Sequence, residues 1–289
     1  MISPKVIKNV VVELIKKAET SLPGDIESAL RKAYKIENDE IARLQLETIL
    51  KNIEFARRNS LPICQDTGIM NFYISIGDKV EINLSEVKRV VRESVEIATR
   101  EIPLRPNVVH PLNRENSKDN TGKGIPVIEF EFIPEDFLEI SLLIKGAGSE
   151  NFSSLRMLNP SDGLSGIRDF IIKEIANADG KPCPPIILGV GIGGTSDLAS
   201  RMAKKALLRP IGSKNGDEEI ARFENNLLGD INRLGIGVMG LGGETTCLDV
   251  NIEIAHCHTA SLPVAINIGC WATRKARARI FEDKVEFID

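Results

Sequence analysis

The chain has 289 residues, enough for one large domain or two smaller ones with a substantial core. Its hydrophobic content of 42% is that of a soluble globular protein, and its formal net charge of −4 argues against sequence-independent binding of nucleic acid, which needs a basic surface. No apolar run approaches the roughly 20 residues of a membrane span, and the amphipathic N-terminus does not have the pattern of a signal peptide, so we expect a cytoplasmic protein without a membrane partner.

The first part of the chain shows helical periodicity. Residues 5–19 and 25–58 alternate apolar positions with Lys, Glu and Arg at the helical spacing, which predicts a helical N-terminal region over 1–58. The segment NSLPICQDTG ends this pattern, and IMNFYISIGD predicts a strand. A further helix is predicted from Leu84 to Arg100, with Ser85 as a candidate cap.

The remainder alternates strands and helices. Residues 101–125 are rich in proline and asparagine and predict a long loop of the kind that is often functional. The stretches IPVIEFEFI and EISLLIKGAGS predict a hairpin or adjacent strands, and PPIILGVGIGGTSDLASRMAKKALL predicts a buried strand, a glycine-rich turn and a helix. Helices are also predicted at 161–178 and about 217–233, and strands in TCLDVNIEIAHCHT and LPVAINI. The fold class is therefore mixed α/β, a helical N-terminal layer followed by interleaved strands and helices, in a single domain over 1–289.

The five cysteines are the most informative residue type. Their odd number and the lack of an export signal argue against a disulfide framework, and no CxxC pair exists. Three of them lie where a predicted element begins or ends, whereas two lie inside strand-like runs and suit a core role. The first group is Cys64, Cys183 and Cys270, and the second is Cys247 and Cys257. The turn cysteines either share a ligand or are inert thiols.

Three thiolates suit a particular kind of site. Iron–sulfur clusters are usually held by four cysteines, and a cubane held by three leaves one iron open as a Lewis acid. The competing metal interpretation is zinc at the run His256-Cys257-His258 with a fourth ligand elsewhere.

Glycine-rich turns offer a second kind of site. A GxGxxG pattern at Gly189, Gly191 and Gly194 follows an apolar strand and precedes a helix, as in a dinucleotide fingerprint, but no second parallel strand ending in an acidic residue follows. KGAGSEN at 145–151 and GLGGETT at 240–246 are further turns that either bind small anions or are simply tight turns. Arg105, in the long loop, could clamp a carboxylate or be an ordinary exposed arginine.

Five segments in order resemble the iron–sulfur-dependent hydro-lyases of the class I fumarase and L-tartrate dehydratase type. They are PICQDTG, KGAGSEN, CPPIILGVGIGGT, LGGETT and HTASLPVAINIGCWATRKARA, and the resemblance runs from about residue 40 to the C-terminal tail. In particular the chain resembles the α subunit of the two-subunit forms, because single-chain forms continue into a second domain. The resemblance implies a separate β subunit that completes the active site, and we expect a dimer of αβ units.

The resemblance also assigns residues. It implies that Cys64, Cys183 and Cys270 bind a [4Fe–4S] cluster. It implies substrate binding or catalysis by residues on four further stretches, with Asp66 and His258 as the acid/base pair in either order. The substrate-binding residues expected from this chain are Gln65, Arg105, Gly148, Ser149 and Asn151. The sequence GAGSEN departs from the GGGS usual in single-chain fumarases, which agrees with the two-subunit branch.

The expected reaction is reversible hydration of fumarate to L-malate, a step of the tricarboxylic acid cycle, with the open iron as Lewis acid. L(+)-tartrate dehydration is the alternative within the family. A dinucleotide-binding oxidoreductase and a non-catalytic scaffold subunit are the alternatives from other classes.

Overall fold

The computed structural model describes residues 2–282 and 284–288 and confirms the mixed α/β class. The chain forms two compact units. Unit 1 comprises Met1–Gly24, Asn52–Gly146 and Arg274–Asp289, and unit 2 comprises Asp25–Lys51 and Ala147–Thr273. Each unit is assembled from segments that are distant in sequence, so no single boundary along the chain separates them. Whether the chain acts as one domain over 1–289 stays a prediction.

Unit 1 is a five-stranded sheet with helices packed on one face. The elements are α1 (Pro4–Thr20), the last residues of α3 (Glu40–Asn59), β1 (Ile69–Gly77), α4 (Leu84–Glu101), β2 (Val127–Ile133), β3 (Leu138–Lys145), β8 (Arg274–Ile280) and β9 (Val285–Ile288). The strand order is β2-β1-β3-β8-β9. Apolar side chains on one face of the sheet pack against the apolar faces of α1 and α4.

The pairing of β1 corrects one expectation. Strands β2 and β3 are neither a hairpin nor adjacent strands, because β1 lies between them, parallel to β2 and antiparallel to β3. Alternating hydrophobicity identifies a strand but not its neighbour, so the sequence could not decide this. The pairs Ile69 with Lys145 and Ile144 with Arg274 place the start of β1, the end of β3 and the start of β8 at one end of the sheet.

A buried ion pair lies at that end of unit 1. Arg274 Nη1 is 2.6 Å from Glu19 Oε2, and the two side chains are 2% and 0% exposed. Glu19 Oε1 has no hydrogen-bond partner among the residues that the structure describes. Burial raises the pKa of Glu19 from 4.5 to about 7, although the Arg274 charge opposes this shift.

Unit 2 contains a four-stranded sheet in the order β4-β7-β5-β6. Strands β5 and β7 are antiparallel: Ile187 of β5 pairs with Gly269 of β7, and Ile192 pairs with Val264. The start of β5 and the end of β7 therefore share one end of this sheet. The elements are α2 (Gly24–Ile36), the first part of α3, α5 (Ala147–Glu150), β4 (Ser154–Leu158), α6 (Gly163–Ala178), β5 (Ile186–Gly193), α7 (Ser196–Ala206), α8 (Glu218–Asn232), β6 (Cys247–Ala255) and β7 (Leu262–Gly269).

Two glycines of the GxGxxG pattern have a packing role. Strand β5 continues to Gly193, so Gly189 and Gly191 lie inside the strand and not in a turn. A Cβ at either position would overlap a backbone carbonyl oxygen of α7, that of Ala203 or of Ala199. The missing side chains therefore let α7 pack directly on the strand.

The structure divides one predicted helical segment and corrects one predicted cap. The segment 25–58 is two helices, because Asn38 and Asp39 donate their backbone N–H groups to Glu37 Oε1 and Asp39 Oδ1 caps the next helix at Ala42. Helix α4 is capped by Asn83 instead of Ser85, through Oδ1 contacts to the first backbone N–H groups of the helix.

The substitution Gly191→Ala tests the α7 contact. The added methyl group would force backbone to shift, and we expect a loss of about 2 kcal/mol or more in the free energy of unfolding. Gly216→Ala is the matched control, because nothing lies within 4 Å of the added Cβ. Urea unfolding followed by circular dichroism measures both variants, and equal midpoints would contradict the packing role.

The substitution Glu19→Gln tests the buried carboxyl group. The folded chain binds a proton at Glu19 more tightly than the unfolded chain, so this contribution to stability is complete below pH 4.5 and is lost as the pH rises through 7. We expect the wild-type chain to lose up to about 3 kcal/mol more than Glu19→Gln between pH 4.5 and 8. Unfolding midpoints over this range measure the difference, and parallel profiles would disprove the raised pKa.

Candidate active site

The turn that leads into β1 carries three of the predicted site residues. Cys64 and Asp66 are partly buried and Gln65 is exposed. The Asp66 backbone N–H lies 3.5 Å from Cys64 Sγ and donates to it. The turn therefore directs a backbone donor at this sulfur.

The Asp66 carboxylate is held in a defined orientation. Its Oδ1 accepts from the Gly68 backbone N–H at 2.9 Å and from Asn107 Nδ2 at 2.6 Å. Gly146, after β3, leaves room for the other oxygen, since a Cβ there would lie 2.9 Å from Asp66 Oδ2. Gly68 has a φ of +73° and its Cβ would lie 2.6 Å from the Lys145 carbonyl oxygen, so this position requires glycine.

The long loop that holds Arg105 also supplies Asn107, the hydrogen-bond donor to this carboxylate. Asn120 organises the loop, accepting from the Asn107 backbone N–H at 2.7 Å and donating to the Arg105 carbonyl oxygen at 3.3 Å. Arg105 itself is exposed. Asn120 therefore fixes the backbone at both Arg105 and the Asp66 partner Asn107. Sequence reasoning did not find Asn107, because the loop contains several asparagines of equal appearance.

The ion pair described above supports the same turn. Arg274 Nη2 donates to the Asp66 carbonyl oxygen at 2.8 Å, and the Glu19 carbonyl oxygen accepts from the Ile63 backbone N–H at 2.8 Å. Neither side chain was predicted. One signal was present: Glu19 lies four residues after Ile15 on the apolar stripe of α1, where an ordinary surface glutamate does not belong.

In unit 2 the other two candidate ligands lie at one end of the sheet. Cys183 precedes β5 and Cys270 follows β7, and the Trp271 backbone N–H donates to the Cys183 carbonyl oxygen at 3.2 Å. Both cysteines are partly buried. Cys183 has a φ of +57°, a left-handed conformation that is costly for a residue with a side chain and is typical of functional sites.

The turn at 147–151 lies toward the same end of the sheet. Strand β4 follows this turn, and its first residue, Ser154, pairs with Ile266 near the end of β7. Ser149 is buried, whereas Gly148 and Asn151 are exposed. Glu150 forms an ion pair with Lys204, and Asn267 Nδ2 donates to Ser153 Oγ at 2.8 Å. Sequence reasoning missed Lys204 and Asn267, which become neighbours of the turn only when the sheet forms.

His258 lies at the opposite end of the same sheet. It precedes β7, whereas Cys270 follows it, and eight strand residues separate the ends by about 23 Å. His258 Nδ1 lies 3.1 Å from the Ala260 backbone N–H and accepts from it, so the neutral ring carries its proton on Nε2. The histidine borders a cavity of about 470 Å³ that Thr195 and Met157 also line.

The run His256-Cys257-His258 follows β6 instead of lying within it. Strand β6 ends at Ala255, and Cys257 is exposed, which corrects the expectation of a core cysteine there. Within residues 2–282 and 284–288, no three His, Cys, Asp or Glu side chains are grouped to hold a metal ion, so side-chain grouping by itself supports neither the zinc interpretation nor the three-cysteine site. Likewise, no helix in this part of the chain is long and apolar enough to span a membrane.

Comparison with known proteins identifies the family. The model of the fumarate hydratase (Fumerase) family matches residues 8–279. A Methanocaldococcus jannaschii protein provisionally named L(+)-tartrate dehydratase subunit alpha is 54% identical over 95% of this chain and 97% of its own length. The Escherichia coli K12 L(+)-tartrate dehydratase subunit alpha is 32% identical over 96% of this chain and 91% of its own length.

A longer relative shows the same similarity over part of its length. A Geobacillus stearothermophilus protein provisionally named class I fumarate hydratase is 37% identical over 96% of this chain but only 55% of its own length. The match of the family model over nearly the whole chain, with relatives above 30% identity, shows that this chain belongs to the fumarate hydratase (Fumerase) family of hydro-lyases.

Proposed function

We propose that the chain is the α subunit of a [4Fe–4S]-dependent hydro-lyase that hydrates fumarate to L-malate reversibly. The observation that carries the proposal is the set Cys64, Cys183 and Cys270: three partly buried cysteines, each beside the end of a strand. Family membership supports the reaction class.

The chemistry of these three residues fits such a cluster. Cys64 Sγ accepts a backbone N–H, as cluster thiolates commonly do, and Cys183 is held by a strained backbone between two prolines. The buried Cys247 offers a contrast: burial raises the pKa of its thiol, which disfavours the thiolate. A cluster held by three thiolates supplies a Lewis acid that makes hydroxide a better leaving group.

Asp66 is the proposed base that removes the proton from C3 of L-malate. Hydrogen bonds from Gly68 and Asn107 fix its carboxylate through Oδ1. A carboxylate held by two donors keeps its orientation and needs no rearrangement before it accepts the proton.

Arg105 and the turn at 147–151 are the proposed carboxylate-binding groups of this chain, together with Gln65. The guanidinium group of Arg105 is exposed and can form two parallel hydrogen bonds to a carboxylate. Gly148 and Asn151 are also exposed and can approach a ligand closely. Donors aimed at the carboxylate beside C3 stabilise the negative charge that develops on it.

His258 is the proposed hydrogen-bond or proton donor, because Nδ1 is engaged by Ala260 and Nε2 carries the proton. Strand β7, about 23 Å long, lies between His258 and Cys270, so we propose that His258 acts at the site of a second copy of the chain. This arrangement supports the proposed dimer of αβ units.

A separate β subunit is proposed to complete the active site. Two relatives that match this chain over nearly their whole length are named subunit alpha, and the longer Geobacillus relative continues beyond the matched region. We also propose a cytoplasmic location, as for an enzyme of the tricarboxylic acid cycle.

The second candidate function is L(+)-tartrate dehydratase α subunit, which the names of the relatives at 54% and 32% identity favour. Both reactions remove water from a 2-hydroxy dicarboxylate and need the same groups. The dinucleotide alternative is weaker, because Gly189 and Gly191 are accounted for by the packing of α7.

Cysteine substitutions test the cluster. In protein co-expressed with the β subunit and prepared without oxygen, Cys64→Ser, Cys183→Ser and Cys270→Ser should each lose most of the iron, which is expected at about four per chain in the wild type. Cys257→Ser is the matched control for iron content, since this exposed cysteine is not one of the three proposed ligands. Iron analysis and visible absorption measure the result. Full iron content and activity in all three variants would instead favour the scaffold alternative.

Substrate assays test the reaction. The anaerobic αβ pair should hydrate fumarate and dehydrate L-malate, whereas the isolated α chain should be nearly inactive because it lacks groups from the partner. The same preparation is assayed with L(+)-tartrate, and a higher kcat/KM for tartrate would select the second candidate. High activity of the isolated chain would refute the shared site.

A further inference from the structure

We propose that Glu19 and Arg274 are positioning residues that hold the Cys64–Asp66 turn in its active geometry. The inference rests on the proposed function and adds to it two residues that contact neither substrate nor cluster in the scheme above. It is carried by the hydrogen bonds that reach the turn from both of its sides.

The two contacts enclose the functional residues. On one side the Glu19 carbonyl oxygen accepts from the Ile63 backbone N–H at 2.8 Å, one residue before Cys64. On the other side Arg274 Nη2 donates to the Asp66 carbonyl oxygen at 2.8 Å. Cys64 and Gln65 lie between these two fixed points.

The ion pair between Glu19 and Arg274 connects the two residues that contact the turn. Arg274 Nη1 donates to Glu19 Oε2 at 2.6 Å, so a single guanidinium group links the end of α1 to the turn. A guanidinium group can serve two acceptors in different directions at once, whereas the ammonium group of lysine is a single point of charge. Because both side chains are almost fully buried, water cannot replace either contact.

Gly146 lies close to both the Asp66 carboxylate and the Arg274 guanidinium group. The Cβ of an alanine at Gly146 would lie 2.9 Å from Asp66 Oδ2 and 3.7 Å from Arg274 Nη2. The guanidinium group therefore lies close to the place where the carboxylate must act, and a displacement of Arg274 would move the turn that carries the base. A shift of about 1 Å in a catalytic group can cost about 100-fold in rate.

Hydrogen exchange and kinetics test this role together. In Arg274→Lys and Glu19→Ala, the backbone amides of residues 63–69 should exchange at least about tenfold faster than in the wild type, measured by mass spectrometry on the αβ protein. Glu19→Gln keeps an acceptor for Arg274 and should retain most of the protection. In protein with wild-type iron content, kcat should fall about 10- to 100-fold for the first two variants, with KM within about threefold.

Arg209→Lys is the matched control for the loss of an arginine that pairs with a buried glutamate. Arg209 pairs with the buried Glu224 at 2.8 Å and donates to the Ser213 carbonyl oxygen at 3.0 Å, all within unit 2. It should leave the exchange of residues 63–69 and kcat unchanged. Circular dichroism establishes whether each variant is folded. If Arg274→Lys does not fold, the exchange rates of Glu19→Ala decide the test.

The proposal is overturned if residues 63–69 of the folded Arg274→Lys and Glu19→Ala variants exchange within about twofold of the wild-type rate, or if Arg209→Lys speeds their exchange equally. The exchange measurement does not depend on turnover. If the αβ protein acts on no dicarboxylate, the proposed function is refuted, but the exchange rates of residues 63–69 still show whether Glu19 and Arg274 hold the turn.

Discussion

At the end of the unit 1 sheet where β1 begins, the structure depends on the buried guanidinium group of Arg274. A charge that is 2% exposed must be satisfied by protein groups, and this one is satisfied by Glu19 at the end of α1 and by the Asp66 carbonyl oxygen. Removal of one partner would leave a buried charge unpaired, which costs far more than loss of a surface contact. The residues before β1 are thereby tied to the first strand residue of β8, more than 200 positions later in the chain.

The strand pairings explain why the candidate site residues lie at two places in the structure. In unit 1 the start of β1, the end of β3 and the start of β8 coincide, which brings Asp66, Gly146 and Arg274 together. In unit 2 the start of β5 and the end of β7 coincide, which does the same for Cys183 and Cys270. Register is fixed by the burial of one face of each strand, so the core of each unit determines which turns become neighbours.

The same register separates residues that the sequence alone would place in one site. His258 and Cys270 are twelve residues apart in the chain, yet β7 extends between them and holds them at its opposite ends. Extended backbone converts a short sequence separation into a long distance. The glycines of β5 show the complementary effect, since a pattern shared with nucleotide-binding turns here serves the close packing of α7.

The sequence by itself determined the mixed α/β class, most helices and strands, the family and the position of three cysteines beside element ends. These features are local: they depend on hydrophobic period, on turn residues and on short motifs that persist along the chain. Only the tertiary structure decided that β1 separates β2 from β3, that Asn107 orients Asp66, and that Glu19 and Arg274 support the same turn. Each of these depends on contacts between residues far apart in sequence, and such contacts are set by strand register and by the need to pair buried charges, which no local pattern encodes.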